Sequence, residues 1–152
     1  MSEKKPLGWR EWIGFPDLRI PRVKAKIDTG ARTSALHAFM VEPFERDGHQ
    51  WVRFAIHPVQ GDTDTVIETE APLKDRRVVR DSGGHEELRY VIETRIAIGD
   101  DTFVAEVTLT DRDSMRFRAL LGRTALKTNY VIHPGKSYIQ SKIVDRQESQ
   151  KS

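Results

Sequence analysis

Apolar and polar residues alternate along much of this chain, in runs bounded by Gly, Pro, Asp and Ser. Trp51-Val52-Arg53-Phe54-Ala55-Ile56, Thr65-Val66-Ile67-Glu68-Thr69, Arg76-Arg77-Val78-Val79-Arg80 and residues 90–98 all follow the pattern. A period of two sends successive side chains to opposite faces of a strand, so each run can bury one face and wet the other. Gly99-Asp100-Asp101 predicts a hairpin onto residues 103–109. His133-Pro134-Gly135-Lys136 predicts another, between strands at 130–132 and 137–139. Only residues 124–128 read as helix, too short to persist without tertiary packing. The chain is expected to be all-β.

At 152 residues the chain fits one domain, large enough to bury about two-thirds of its unfolded surface around a single core. Residues 7–144 are expected to form that domain. The polar stretches 1–6 and 145–152 lack periodic apolar residues and read as disordered tails. Hydrophobic residues at 38% and charged residues at 32% describe an ordinary soluble protein. A formal net charge of +2 gives no ground for a nucleic-acid partner, although sixteen of the 25 basic residues are arginine, the side chain suited to bidentate recognition of carboxylate or phosphate. Without cysteine there are neither disulfides nor thiolate metal sites. No long apolar run occurs, and the N-terminus lacks the apolar core of an export signal. A cytoplasmic protein with no membrane partner is expected.

One tetrapeptide carries chemistry. Val23-Lys24-Ala25-Lys26-Ile27 reads as a strand and runs directly into Asp28-Thr29-Gly30-Ala31. An acid at a strand end, followed by a hydroxyl and a glycine, lets the backbone turn sharply and aim N–H groups at the carboxylate. Aspartic proteases present their catalytic acid in this way. About ninety residues on comes Ala119-Leu120-Leu121-Gly122-Arg123, followed by Thr124-Ala125-Leu126. In single-lobed aspartic proteases, two hydrophobics, Gly-Arg and a short helical turn thread beneath the catalytic loop. The alternative for Asp28 is an acid-turn or helix-capping role.

The stretch from Lys24 through Asp28-Thr29-Gly30-Ala31-Arg32-Thr33-Ser34 to His37 resembles that of bacterial retropepsin-like proteins catalogued under the name ATP-dependent zinc proteases. Residues 120–126 resemble the family's second motif, and Leu7-Gly8-Trp9-Arg10-Glu11-Trp12 also fits. The resemblance spans residues 7–143. It implies a small closed β barrel of retropepsin type with one short C-terminal helix, and peptidase activity. Some family members are encoded beside an ATP-grasp ligase that adds glutamates to a ribosomal protein, which implies such a ligase as partner and acidic or glutamylated tails as substrate.

Two carboxylates held close share one proton; one then activates water while the other polarises the scissile carbonyl. With one Asp-Thr-Gly per chain, catalysis implies a homodimer in which two copies of Asp28 meet at a two-fold axis. Thr29 would brace the opposing loop, while Gly30 and Ala31 shape it. Asp81-Ser82-Gly83 is too close in sequence to Asp28 to carry a second lobe. Ser82, Gly83 and Gly84 instead suggest a flap over substrate, or a plain hairpin turn. Leu121 and Gly122 are expected to support the catalytic loop.

Retroviral enzymes commonly place an acid after Asp-Thr-Gly-Ala to pair with the arginine of Gly-Arg. Here that position is Arg32, so Arg32 and Arg123 would repel. Either Glu11 supplies the missing partner to Arg123, or one arginine enters the cleft and takes a substrate carboxylate. An arginine held in a structural network is the alternative. His37, His49, His57, His85 and His133 lie far apart, and His85-Glu86 lacks a second histidine at Arg89, so no zinc site is expected. His37 is the best single candidate for a role near the cleft. No phosphate-binding glycine loop is present, and no cofactor is expected. Trp9 and Trp12 read as satellite core or interface residues.

Overall fold

A computed structural model of the chain describes residues 4–59, 61–80, 83–110, 117–127 and 129–141. Alternating burial sets the architecture. In β3 (Ile20–Ile27), Val23, Ala25 and Ile27 turn inward while Lys24 and Lys26 stay outside; in β8 (Glu86–Ile98), Ile92, Thr94, Ile96 and Ile98 are buried and Glu93 and Arg95 are exposed. Six strands close on themselves in the order β2 (Arg10–Phe15), β3, β10 (Ala119–Leu121), β4 (Ser34–His37), β9 (Asp101–Thr110) and β8, with β2 and β8 meeting at Gly14 and Ala97. Closure pairs the first and last strands of this set of six with each other. The expected small all-β barrel is the observed fold.

Beyond β8 the sheet continues through β7 (Ile67–Arg80), β6 (His49–Ile56) and β5 (Met40–Arg46). Val52, Phe54, Ile56 and Ala71 from this extension join Ile13, Phe15, Leu36, Ile92 and Ile96 in one core. The run at 76–80 and all but the first two residues of the run at 65–69, expected as separate strands, belong to the single fourteen-residue β7. Its first part pairs with β6 up to Pro72 opposite Trp51, and its second pairs with β8 from Leu73 onward. Proline has no N–H to donate and is disfavoured within a central strand. It sits where the strand leaves one ladder for the other, and an irregularity between Leu73 and Asp75 absorbs the change.

Two further expectations change at the ends of the chain. Strand β1 (Lys5–Gly8) begins inside the stretch read as a tail and pairs in parallel with β11 (Tyr130–His133). Residues 137–139 form no strand against β11; the backbone becomes helical at 139–141. The predicted turn after His133 does form, with Lys136 N–H donating to His133 O at 3.1 Å. Lys5 and the Tyr130 hydroxyl both donate to Asp101 at 2.7 Å, tying this ribbon to β9. Lys5 holds the Asp101 carboxyl below the usual range. The short helix α1 (Arg123–Leu126) buries Ala125 and Leu126. The tail from 145 on lies outside the described residues. Among the described residues no helix is long and apolar enough to cross a membrane.

Glu11 explains the altered C-terminal path. Its side chain is fully buried. Oε1 accepts hydrogen bonds from the Gln140 and Ser141 N–H groups and the Ser141 hydroxyl, while Oε2 accepts from the N–H groups of Gly8 and Ile139. Glu11 was expected to face Arg123; instead it gathers five donors, four of them main-chain amides. The distances run from 2.7 to 3.1 Å. The carboxylate thereby holds β1 and the segment at 137–141 against β2.

Replacing Glu11 by Gln keeps the shape but turns an amide donor toward at least two of those donors. Buried polar groups left unsatisfied cost about 1–3 kcal/mol each, so Glu11→Gln is expected to lower folding stability by about 2–5 kcal/mol. Denaturant unfolding measures this.

Candidate active site around Asp28

Asp28 follows β3 at the point where β3 and β10 run in parallel, Leu121 opposite Ile27. Its N–H donates to Leu121 O at 2.9 Å, carrying the pairing one step beyond the strand. The backbone then reverses: Ala31 N–H donates to Asp28 O at 3.2 Å, and Gly30 N–H donates to Asp28 Oδ1 at 3.0 Å. A Cβ on residue 30 would lie 3.2 Å from that oxygen, tighter than an ordinary contact. Asp28 is half-buried, whereas Thr29 and Gly30 are exposed. The carboxylate is thus held by its own turn at the rim of the barrel, with the tip of the loop facing outward.

Residues 121–124 brace the loop from below. Arg123 N–H donates to Ala31 O at 2.8 Å, and Arg32 O accepts from both the N–H and the hydroxyl of Thr124, at 3.1 and 2.7 Å. The buried Ser34 hydroxyl accepts from Gly122 N–H at 3.1 Å. At Gly122 the two segments come so close that a Cβ would sit 2.6 Å from the Thr33 carbonyl and 2.9 Å from Ala31 O, where backbone must move. Leu121 lies buried beneath. Ser34 and Thr124 were not singled out as site residues beforehand, although both lie inside the quoted motifs. Their contribution is a hydroxyl aimed at main chain across the junction, which pattern alone does not reveal.

The two arginines part company. Arg123 reaches back toward Gly30 O, with Nη1 at 3.5 Å. Arg32 is exposed and makes no ion pair among the described residues. Together with Thr33 and Thr124 it lines a groove of about 440 Å³, with Arg77, Glu93 and Glu106 on the facing sheet. Glu93 and Glu106 stand directly opposite each other on β8 and β9, a like-charge pairing that destabilises a ladder by itself. Lys74 spans them at 2.5 and 3.2 Å, and Arg77 joins Glu106 at 3.0 Å and Asp75 at 2.8 Å. These cations, Arg77 foremost, hold the Glu106 carboxyl below its usual range. With those acids already neutralised, Arg32 is, among the described residues, the cation of the groove without an ion-pair partner.

The hairpin joining β7 to β8 carries Gly83 and Gly84 exposed near its tip. Ser82 and Asp81 lie outside the described residues. His37 is buried at the end of β4, with its N–H on Arg118 O at 2.8 Å. No three His, Asp or Glu side chains cluster to hold a metal among the described residues.

Residues 6–143 match the family model of the retropepsin-like aspartic endopeptidase RimB. A "Probable alpha-L-glutamate ligase" of Desulfotalea psychrophila is 43% identical over 131 residues, covering 86% of this chain and 28% of that protein. One with the same name in Shewanella pealeana is 42% identical over 139 residues, covering 91% of this chain and 30% of the relative. The chain therefore spans less than a third of these curated relatives. Among solved structures, the Legionella pneumophila protein Lpg0085, described as having unknown function, superposes with a TM-score of 0.75 at 24% identity over 91% of this chain and 99% of that one. With the matched region covering nearly every described residue, the chain belongs to the RimB-like family of retropepsin-like proteins.

Proposed function

We propose that this protein is an aspartic endopeptidase whose active centre forms when two copies bring their Asp28 loops together. The observation that carries the reading is the half-buried Asp28 carboxylate, fixed by Gly30 N–H and braced by Gly122 and Arg123, with the loop tip open to a partner. One carboxylate alone lacks the second acid that peptide hydrolysis needs. Paired across a two-fold axis, the two share a proton; one takes a proton from water as it attacks, and the other donates to the carbonyl oxygen. Thr29, exposed beside Asp28, is positioned to brace the facing loop. The hairpin bearing Gly83 and Gly84 serves as the flap that closes over substrate.

The Arg32 guanidinium, which makes no ion pair among the described residues, favours a substrate with a carboxylate beside the scissile bond, such as an acidic or glutamylated tail. The names of the longer relatives support a glutamate ligase as the partner that supplies such tails. They also favour the second reading, a barrel that docks onto the ligase or its product without cutting.

Asp28→Asn is expected to abolish cleavage of a mixed peptide library, by about 10³-fold or more, while wild-type activity survives a chelator and sedimentation shows a dimer. A monomer with no Asp28-dependent cleavage would establish the docking reading instead. Activity lost to chelation but indifferent to Asp28→Asn would point to metal chemistry. For an active enzyme, Arg32→Ala should lower kcat/KM on acidic peptides by about 10- to 100-fold and leave neutral peptides unaffected. Equal rates on both would remove Arg32 from recognition.

A further inference from the structure

Arg10 and Lys26 stand directly opposite each other on β2 and β3. Like charges so placed weaken a sheet. The Glu93–Glu106 pair meets the same penalty, and there Lys74 and Arg77 offset it. No acid does so here: neither Arg10 nor Lys26 makes an ion pair among the described residues. The Arg10 guanidinium lies between the Trp9 and Tyr138 rings, 4.7 and 5.1 Å from their centroids, and its Nε donates to the Ser137 hydroxyl at 3.1 Å. Two rings and a hydroxyl therefore hold it in place before anything binds. Lys26 comes two residues before Asp28, with the buried Ile27 between them. A period of two places Lys26 and Asp28 on the same side of the strand, about 7 Å apart. The bond from Asp28 N–H to Leu121 O continues the ladder one step past Ile27, and Ile27 N–H donates to Trp9 O at 2.8 Å, holding the start of β2 beside the same point.

We infer that Arg10 and Lys26 form a carboxylate-binding subsite beside Asp28, selecting an acidic side chain next to the bond that is cut. The inference rests on the peptidase reading and extends it. Proximity to Asp28 fixes the occupant. A peptide laid across Asp28 for hydrolysis passes its flanking side chains over the adjacent outward positions of β3. At the first of these it meets an ammonium and a guanidinium without a counter-charge, which a carboxylate supplies. Arg22 and Lys24, further back along β3, lie over the Trp12 ring and take no part. Neither Arg10 nor Lys26 lines the groove that holds Arg32. The subsite is thus a second one, on the strand that enters the Asp28 loop. Across a two-fold axis each copy contributes one Arg10–Lys26 pair, so an acid is favoured on both sides of the scissile bond.

The test compares two fluorogenic octapeptides, one of alternating glutamate and alanine, the other with glutamine in place of glutamate. The wild-type protein is expected to cut the glutamate peptide at a KM about 10-fold lower, a preference that shrinks as salt is added. Lys26→Glu is expected to abolish the preference by raising KM for the glutamate peptide about 10-fold or more, and Lys26→Arg to retain it. An effect transmitted through Asp28 would slow both peptides alike, whereas a subsite moves the glutamate peptide alone. Arg53→Ala, on β6, should leave both peptides as in wild type. Equal KM for the two peptides, or a preference that survives Lys26→Glu, would overturn the subsite and leave the peptidase reading standing. If neither peptide is cut, the peptidase reading falls and the subsite is judged by fluorescence anisotropy of the same peptides. Tighter binding of the glutamate peptide that Lys26→Glu abolishes would support it; binding indifferent to Lys26 would overturn it. Lys26 is exposed, so these substitutions leave the core untouched.

Discussion

Everything at the candidate site depends on how closely two stretches of main chain can approach at Gly122. Its missing side chain lets residues 121–124 lie directly beneath residues 31–34, close enough for four hydrogen bonds across the junction. Those bonds fix the exit of the Asp28 loop, while the Asp28 N–H to Leu121 fixes its entrance. A loop tied at both ends loses little further freedom when it binds, so its carboxylate is held ready beforehand. The pinning is done almost wholly by backbone and hydroxyl groups. That leaves the Arg32 guanidinium out of the brace and in the groove, while Arg123 adds its N–H to Ala31 O and an Nη1 contact to Gly30 O.

Glu11 does for the rest of the chain what Gly122 does for the loop. A carboxylate in a dry interior needs its lone pairs filled, and here amides from both ends of the chain fill them. An arginine partner would have brought a second charge into the core with its own desolvation cost. Main-chain donors satisfy the acid without one. The same contact orders the C-terminal segment and places Tyr138 against Trp12 and Arg10. The buried acid therefore organises an outer surface as well as an inner one.

Much of the fold could be read from alternation, because a period of two is a local property that survives tertiary context. The strands at 51–56, 90–98 and 103–109 lie within β6, β8 and β9. Partnership was harder to read. The parallel pairing of β1 with β11 joins residues at opposite ends of the chain, and neither sequence shows it. The donors around Glu11 are amides, which every residue but proline carries, so no residue type advertises them. At the candidate site, the motifs pointed to both stretches that meet there. They did not show which hydroxyls would bridge them, nor that Arg32 would turn into the groove while Arg123 reaches back to Gly30. Those outcomes depend on side-chain direction after folding.

The handover at Pro72 gives β7 a double allegiance. One continuous strand is registered against β6 along its first half and against β8 along its second. Sliding by one residue would invert its faces in both ladders at once, burying charges such as Glu70 and Arg76 and expelling Ala71. The irregularity at Leu73 to Asp75 is the joint that keeps the two registers compatible.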